Sequence, residues 1–332
     1  HRVATNDDVA NGAKSNRLVT SDVQRAPWRP APKPKAWAGS GACRYLQAKR
    51  SLQEDLKSLS SGEETDESDA TKGGDEETEE VPEGATVVFS AHGVAPVVHD
   101  EAAARNLRTI DATCPLVSKV HREAERAHAD GKQVILIGHT GHPEVIGTLG
   151  QLPAGAVTLI GQPEDVAGIP AAATEDGSGL AFVTQTTLSV DDTSAIITAL
   201  KQRFPNITEP KAGDICYATT NRQEAVKVIA PGCNGFLVVG APNSSNSNRL
   251  VDVAQQAGVA KAFLVQRGAD VAALDLSGVT TLGLTAGASA PEVLVEEILD
   301  ALRQRFDVAV AVEVVREENV IFNVPRELRD VA

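Results

Sequence analysis

The chain has 332 residues, 42 % of them apolar, and a formal net charge of −14. That length allows two or three compact lobes, and because no apolar run approaches the ~20 residues of a membrane span, a transmembrane protein is excluded. Eleven acids and one Lys between Glu63 and Glu83 concentrate −10 of the charge, and an acidic chain without a basic face is a poor nucleic-acid binder. The four cysteines, irregularly spaced, are too few for a disulfide scaffold and point to cytosolic thiols or metal ligands. No basic-then-apolar leader opens the chain, so no secretory signal is expected. With His1 first and no Met, a normal translation start is not expected among these residues.

Residues 1–50 are polar, rich in Pro between Pro27 and Pro34, and carry Trp28 and Trp37 without a sustained helical or strand period. Residues 51–80 run into the acidic stretch. Such a segment cannot bury enough apolar area to offset its ordering entropy, so residues 1–76 are expected to be disordered.

From Val81 onward short apolar runs alternate with amphipathic stretches. Thr86–Phe89 leads into Ser90-Ala91-His92-Gly93, and Val134–Ile137 into Gly138-His139-Thr140-Gly141-His142. Ala181–Val183 leads into Thr184-Gln185-Thr186-Thr187, and Phe236–Val239 into Gly240-Ala241-Pro242-Asn243-Ser244. Thr281–Leu284 leads into Thr285-Ala286-Gly287-Ala288-Ser289. Continuous apolar runs joined through helices predict parallel strands buried on both faces. The fold class is α/β.

Helix starts are expected after Cys114, where Pro115 suits a first turn, and at the capping patterns Ser189–Asp192 and Thr220–Gln223. Ser244, Ser245 and Asn246 also read as a helix start. In parallel α/β sheets ligands gather beyond the carboxyl ends of the strands. Polar loops opening helices there offer free N–H groups to an anion. Five such loops, rich in Ser, Thr, Asn and His, look like donors for a phosphorylated or carboxylated ligand.

The loop motifs Phe89–Val94, Asp111–Val117, Gly138–Val145, Thr184–Thr193, Asp214–Gln223, Asn243–Leu250 and Thr285–Pro291 stand in one order along the chain. Together they resemble the 4-hydroxy-3-methylbut-2-enyl diphosphate reductase (LytB) family over about residues 77–332. The resemblance implies three similar βα lobes with mostly parallel sheets around a central [4Fe-4S] cluster. It implies the reductive dehydration of an allylic alcohol diphosphate to isopentenyl and dimethylallyl diphosphate, the last step of the non-mevalonate route. A single-electron donor such as a ferredoxin or flavodoxin system and a cytoplasmic setting go with it, and neither nucleic acid nor membrane. The corresponding division of the chain is 77–114 as the remnant of a first lobe, 115–212 as a second, 213–303 as a third and 304–332 as a C-terminal return.

Residue by residue, the resemblance makes Cys114 and Cys216 cluster ligands, and Glu144 the proton donor with Thr186 beside it. It makes His92, His142, Thr186, Ser244, Ser245, Asn246 and Ser289 diphosphate contacts. Charged imidazoles at His92 and His142 would complement the anion. The bland readings stand beside these: buried thiols, loop histidines, a helix-N-terminal acid and N-caps. Cys114 and Cys216 are each read as following an Asp-containing strand end, where a thiol ionises readily. Cys233 is expected to be a packed thiol, His139 structural, and His99, His121 and His128 solvated.

Upstream of residue 77 the family's opening cysteine loop and a further diphosphate-contacting His have no counterpart, and Cys43 is the one Cys there. The chain is therefore expected to have a deficient or labile cluster, and the alternative reading is a diphosphate-binding relic without turnover.

Overall fold

The computed structural model describes residues 81–170, 176–316, 320 and 322, and the backbone of Asn16–Thr20. The expectation of disorder for residues 1–76, apart from those five, and Cys43 with it, lie outside the described residues. No helix among the described residues is long and apolar enough to cross a membrane. The chain divides into two compact units, one formed by 44–216 with 321–332 and the other by 1–43 with 217–320.

In the first unit β2 (Thr86–Phe89) pairs in parallel with β3 (Arg108–Asp111), joined by α1 (Pro96–Ala104). Phe89, Ala102 and Leu107 form its small core. α2 (Pro115–Ala129) then leads to β4 (Gln133–Ile137), the centre of a parallel sheet of order β5-β4-β6, with β5 at Val157–Ile160 and β6 at Leu180–Thr184. The period-2 alternation of β4 splits its side chains between two cores. Ile135 and Ile137 pack with Phe182, Ile196 and Leu200, the last two from α4 (Val190–Arg203). Val134 and Leu136 pack with Val120, Ala124 and Val145, from α2 and α3 (Pro143–Leu149). Each such aliphatic side chain contributes roughly 1.5–3 kcal/mol by leaving water, so the sheet is held rigid at the carboxyl ends that carry the motif loops.

The second unit follows the same plan. α5 (Tyr217–Ile229) precedes β7 (Gly235–Val239), which pairs in parallel with β8 (Ala262–Val265) and β9 (Thr281–Ala286). Phe236 and Val238 pack with Val226 of α5 and Leu250 of α6 (Ser245–Gln256). Leu237 and Val239 pack with Ile298 and Leu302 of α7 (Glu292–Arg305). Two antiparallel strands extend this sheet: β1 (Asn16–Thr20) pairs with β9 on one side and with β10 (Ala309–Glu313) on the other. Residues 1–50 had shown no strand period. Two flanking strands supply the pairing that the local sequence does not announce.

The architecture is α/β, as the texture of the sequence predicts: two sheets are wholly parallel, and the third joins three parallel strands to two antiparallel ones. One structural device occurs once in each unit. A 3₁₀ turn follows β5 (Pro163–Gly168) and another follows β8 (Gly268–Ala273). Asp165 accepts from the Gly161 and Gln162 N–H groups at 2.8 and 3.1 Å, and Asp270 from those of Gln266 and Arg267 at 2.8 and 3.0 Å. Arg203, at the end of α4, donates to the Val166 and Ile169 carbonyls, and Arg305, at the end of α7, to those of Val271 and Leu274.

Candidate active-site residues and family

In the 44–216 unit two histidine loops are drawn together by small residues. Gly93 turns the chain with φ +74°, and Gly147 of α3 lies so near it that an added Cβ would come 2.9 Å from the Gly93 carbonyl oxygen. Gln151 Nε2 donates to the Val94 carbonyl at 2.9 Å and locks the approach. As a result the His92 and His142 rings meet edge to face, centroids 5.5 Å apart.

Their protonation differs from the expectation of charged imidazoles. Burial, with the His92 and His139 rings nearby, lowers the His142 pKa to about 4, and burial lowers that of His92. His142 is also the N-cap of α3, its Nδ1 accepting the Glu144 N–H at 3.2 Å. A proton there would break the cap and face the positive end of the helix. Both imidazoles are thus neutral near pH 7, and His142 offers its Nε2–H as a donor.

Glu144, in the first turn of α3, is 1 % exposed. Thr186, just past β6, donates its N–H to Glu144 Oε1 at 2.6 Å and its hydroxyl to Oε2 at 2.9 Å. Burial raises the Glu144 pKa to about 7 against the pull of these two hydrogen bonds, and the Asp214 charge adds to the rise. A carboxyl so poised can hold and release a proton at neutral pH. The sequence motifs assign both residues a role in proton transfer and give Asp214 none.

Cys114 is the N-cap of α2, with Pro115 in the first turn as expected, and Cys216 stands immediately before α5. Asp111 does end a strand, but Asp214 does not. The segment before Cys216 is irregular and is anchored by the Cys216 N–H on the Thr186 carbonyl at 2.8 Å. The pattern Thr220–Gln223 is not a helix start either. It lies inside α5, which begins at Tyr217, and its polar residues Asn221, Arg222 and Gln223 are buried.

A thiolate-held group fits Cys114 and Cys216: both are half-buried, neither is in a disulfide, and each stands at a helix start. Among the described residues no group of three or more His, Cys, Asp or Glu could hold a metal ion. Cys233 behaves as the packed thiol expected, its Sγ donating to the Ile229 carbonyl at 3.4 Å and its pKa pushed up by burial to about 11. His121 is not solvated. It is buried against the Gly93 turn, its Nε2 without a hydrogen-bond partner.

In the 217–320 unit Ser244 caps α6, its Oγ accepting from the Ser247 N–H at 3.3 Å. Ser247 is wedged between two strand ends, since a Cβ at Gly240 or Gly287 would lie 2.1 or 2.2 Å from its Oγ. That close approach sets the start of α6 beside the loop carrying Ser289, with Asn246 Nδ2 3.4 Å from where a Gly287 Cβ would be. Asn246 is 6 % exposed, yet neither its Oδ1 nor its Nδ2 has a hydrogen-bond partner. An orphaned buried amide is costly and marks a place for a polar ligand. Ser245, first residue of α6, is half-buried, and Ser289 is exposed. Ser247, which makes this packing possible, was not singled out in the sequence.

The LytB protein family model matches residues 61–303, so the likeness begins upstream of Glu77, where the motifs first become legible. A relative from Mesorhizobium japonicum named 4-hydroxy-3-methylbut-2-enyl diphosphate reductase is 57 % identical over 259 residues, 77 % of this chain and 76 % of that one. One from Rhodopseudomonas palustris, named 4-hydroxy-3-methylbut-2-enyl diphosphate reductase 2, is 58 % identical over 255 residues, 76 % of this chain and 79 % of its own. Among solved structures, the E-1-hydroxy-2-methyl-but-2-enyl-4-diphosphate reductase from Plasmodium falciparum matches with a TM-score of 0.69 and 34 % identity, over 77 % of this chain and 80 % of that one. With its motif order, its α/β sheets and this depth of similarity, the chain belongs to the LytB family.

Proposed function

We propose that the chain is a 4-hydroxy-3-methylbut-2-enyl diphosphate reductase, converting (E)-4-hydroxy-3-methylbut-2-enyl diphosphate to isopentenyl and dimethylallyl diphosphate in the cytoplasm. The observation that carries the reading is the buried Glu144 held by Thr186, a carboxyl with a pKa of about 7. The reaction consumes two electrons and two protons and breaks one carbon–oxygen bond. One proton leaves with the hydroxyl as water and the other ends on carbon.

When bound, a [4Fe-4S] group on Cys114 and Cys216 would supply the electron chemistry, fed one electron at a time by a ferredoxin or flavodoxin system. The remaining work falls to side chains. Glu144 Oε2, in contact with the Thr186 hydroxyl at 2.9 Å, delivers a proton either directly or through that hydroxyl. His92 and His142 donate N–H groups to the diphosphate without carrying a charge beforehand. Asn246, its amide unpartnered, donates with the hydroxyls of Ser244, Ser245 and Ser289. His142, the N-cap of the helix whose first turn carries Glu144, ties anion binding to the proton source within one unit.

The test is anaerobic turnover with a chemical one-electron reductant after reconstitution with iron and sulfide. Both isomeric diphosphates are expected as products. A chain that binds the substrate and releases neither product is instead a diphosphate-binding relic. That second reading rests on the sequence, in which the family's opening cysteine loop has no counterpart upstream of residue 77.

A further inference from the structure

The reading of Cys114 and Cys216 as ligands leaves open what holds two such distant parts of the chain in one arrangement. Cys114 caps α2, and Lys119 lies one turn into the same helix. Its ammonium reaches across to the irregular segment that ends in Cys216. There Nζ donates to the Ala212 carbonyl at 2.8 Å, the Gly213 carbonyl at 3.4 Å and Asp214 Oδ1 at 2.7 Å. Glu123, one turn further along α2, faces the same ammonium at 3.4 Å.

The Asp214 side chain is fully buried, whereas that of Lys119 is 24 % exposed. The second Asp214 oxygen accepts the Thr184 N–H at 2.9 Å, at the end of β6. Two residues on, the Cys216 N–H is bound to the Thr186 carbonyl at 2.8 Å. The segment 212–216 is therefore tied to α2 by a cation and to the end of β6 by two hydrogen bonds. A lone Lys on a solvated helix face needs no such set of acceptors. A buried carboxylate satisfied from two different elements is an expensive arrangement, retained where a geometry has to be fixed.

We propose that Lys119 and Asp214 are positioning residues that clamp the Cys216 segment onto the helix capped by Cys114, so that the two thiols are presented together. The proposal rests on the reading of those cysteines as ligands. The clamp itself is a property of the polypeptide and can be read without metal.

The experiment compares the parent chain with Lys119→Arg, the double variant Lys119→Met/Asp214→Asn, and the remote control Lys261→Met. The double variant removes both charges, so no uncompensated buried carboxylate is left to unfold the unit. Iodoacetamide alkylation of the metal-free proteins is followed cysteine by cysteine by mass spectrometry, with Cys233 as internal reference. Iron uptake after anaerobic reconstitution is measured on the same samples.

Cys216 in the double variant is expected to react at least about fivefold faster than in the parent, while Cys233 changes less than about twofold. Lys119→Arg and Lys261→Met should stay near the parent. Iron retention should fall at least about twofold in the double variant alone. An unchanged Cys216 rate, or Cys216 and Cys233 accelerating together, overturns the clamp. Acceleration as great in Lys119→Arg as in the double variant also overturns it. A parent that takes up no iron matches the deficient cluster expected from the sequence, and the alkylation ratio alone then decides the clamp.

Discussion

Replacing Glu144 by Gln tests the central electrostatic claim in a way that needs no substrate. Moving the Glu144 pKa from 4.5 to about 7 means that the folded protein holds the ionised carboxylate roughly 3 kcal/mol less favourably than the acid, relative to the unfolded chain. The sign follows from which state binds the proton more tightly. Here the folded state does, so the stabilising contribution is complete below pH 4.5, is lost as pH rises towards 7, and stays lost above that. Gln is close to isosteric and carries no charge at any pH. Its amide oxygen can still accept the Thr186 N–H, and its NH₂ can donate to the Thr186 hydroxyl.

Urea unfolding of the parent and of Glu144→Gln at pH 5 and pH 8 should therefore show a stability advantage for the variant that is larger at pH 8 by about 1–3 kcal/mol, the upper figure being the full linkage. In turnover the same substitution should cost at least ~10²-fold, the usual size of a lost general acid, with substrate binding retained. A stability difference identical at the two pH values would show that the carboxyl is not held neutral by its surroundings. Turnover like that of the parent would remove Glu144 as the proton source.

Burial lowers the His92 pKa, and an adjoining anion favours the charged imidazole, so binding of inorganic pyrophosphate near pH 6 should draw protons from solution. Calorimetry in buffers of different ionisation enthalpy reads this directly, and uptake of zero protons would contradict it. Changing Ser244, Asn246, His92 or His142 to Ala should weaken diphosphate binding by roughly 1–3 kcal/mol each, with much less effect on a non-phosphorylated alcohol analogue. Equal losses for both ligands would make these residues supports of the fold instead. Cys114→Ser and Cys216→Ser should abolish iron binding and Cys233→Ser should spare it, the Cys233 thiol being half-buried and bonded to the Ile229 carbonyl. Iron lost in Cys43→Ser as well would identify the third ligand.

The long apolar runs of β2, β4, β6, β7 and β9 were legible because each is bounded by Gly, Ser or Thr and followed by a helical pattern. β3, β5 and β8 were not. Each is an edge strand that pairs with a single neighbour, and each becomes a strand because that neighbour already offers it a parallel edge. The site shows a similar division. Residue identities were visible as motifs, while their charge states were not, because those depend on groups brought together from separate loops. The imidazoles of His92 and His139 both act on that of His142, and a helix N–H occupies His142 Nδ1. No local window contains that. The Lys119–Asp214 contact is likewise invisible in sequence, since neither residue belongs to a recognisable pattern with the other.

One signal was present and went unread. Ala199-Leu200-Lys201-Gln202-Arg203-Phe204 recurs as Ala301-Leu302-Arg303-Gln304-Arg305-Phe306. Its physical content appears only when the helix ends are examined. In both copies the Leu is buried in a sheet-facing core, and the Arg lies over the following Phe ring at 4.8 and 5.1 Å. In both, the guanidinium donates to two carbonyls of the 3₁₀ turn that follows the sheet's edge strand. That turn stands where a full crossover helix would otherwise be expected between parallel strands. A short 3₁₀ segment leaves carbonyls unpaired at its end. A cation at the C-terminus of the neighbouring helix satisfies them and complements that helix's own dipole. The Asp at the start of the turn does the same for its N–H groups. So a six-residue repeat and an Asp upstream of each copy specify one closed hydrogen-bonding unit, built twice. The loops at the carboxyl ends of β4, β6, β7 and β9 can carry unsatisfied donors such as Asn246 because the rest of each sheet is closed in this way.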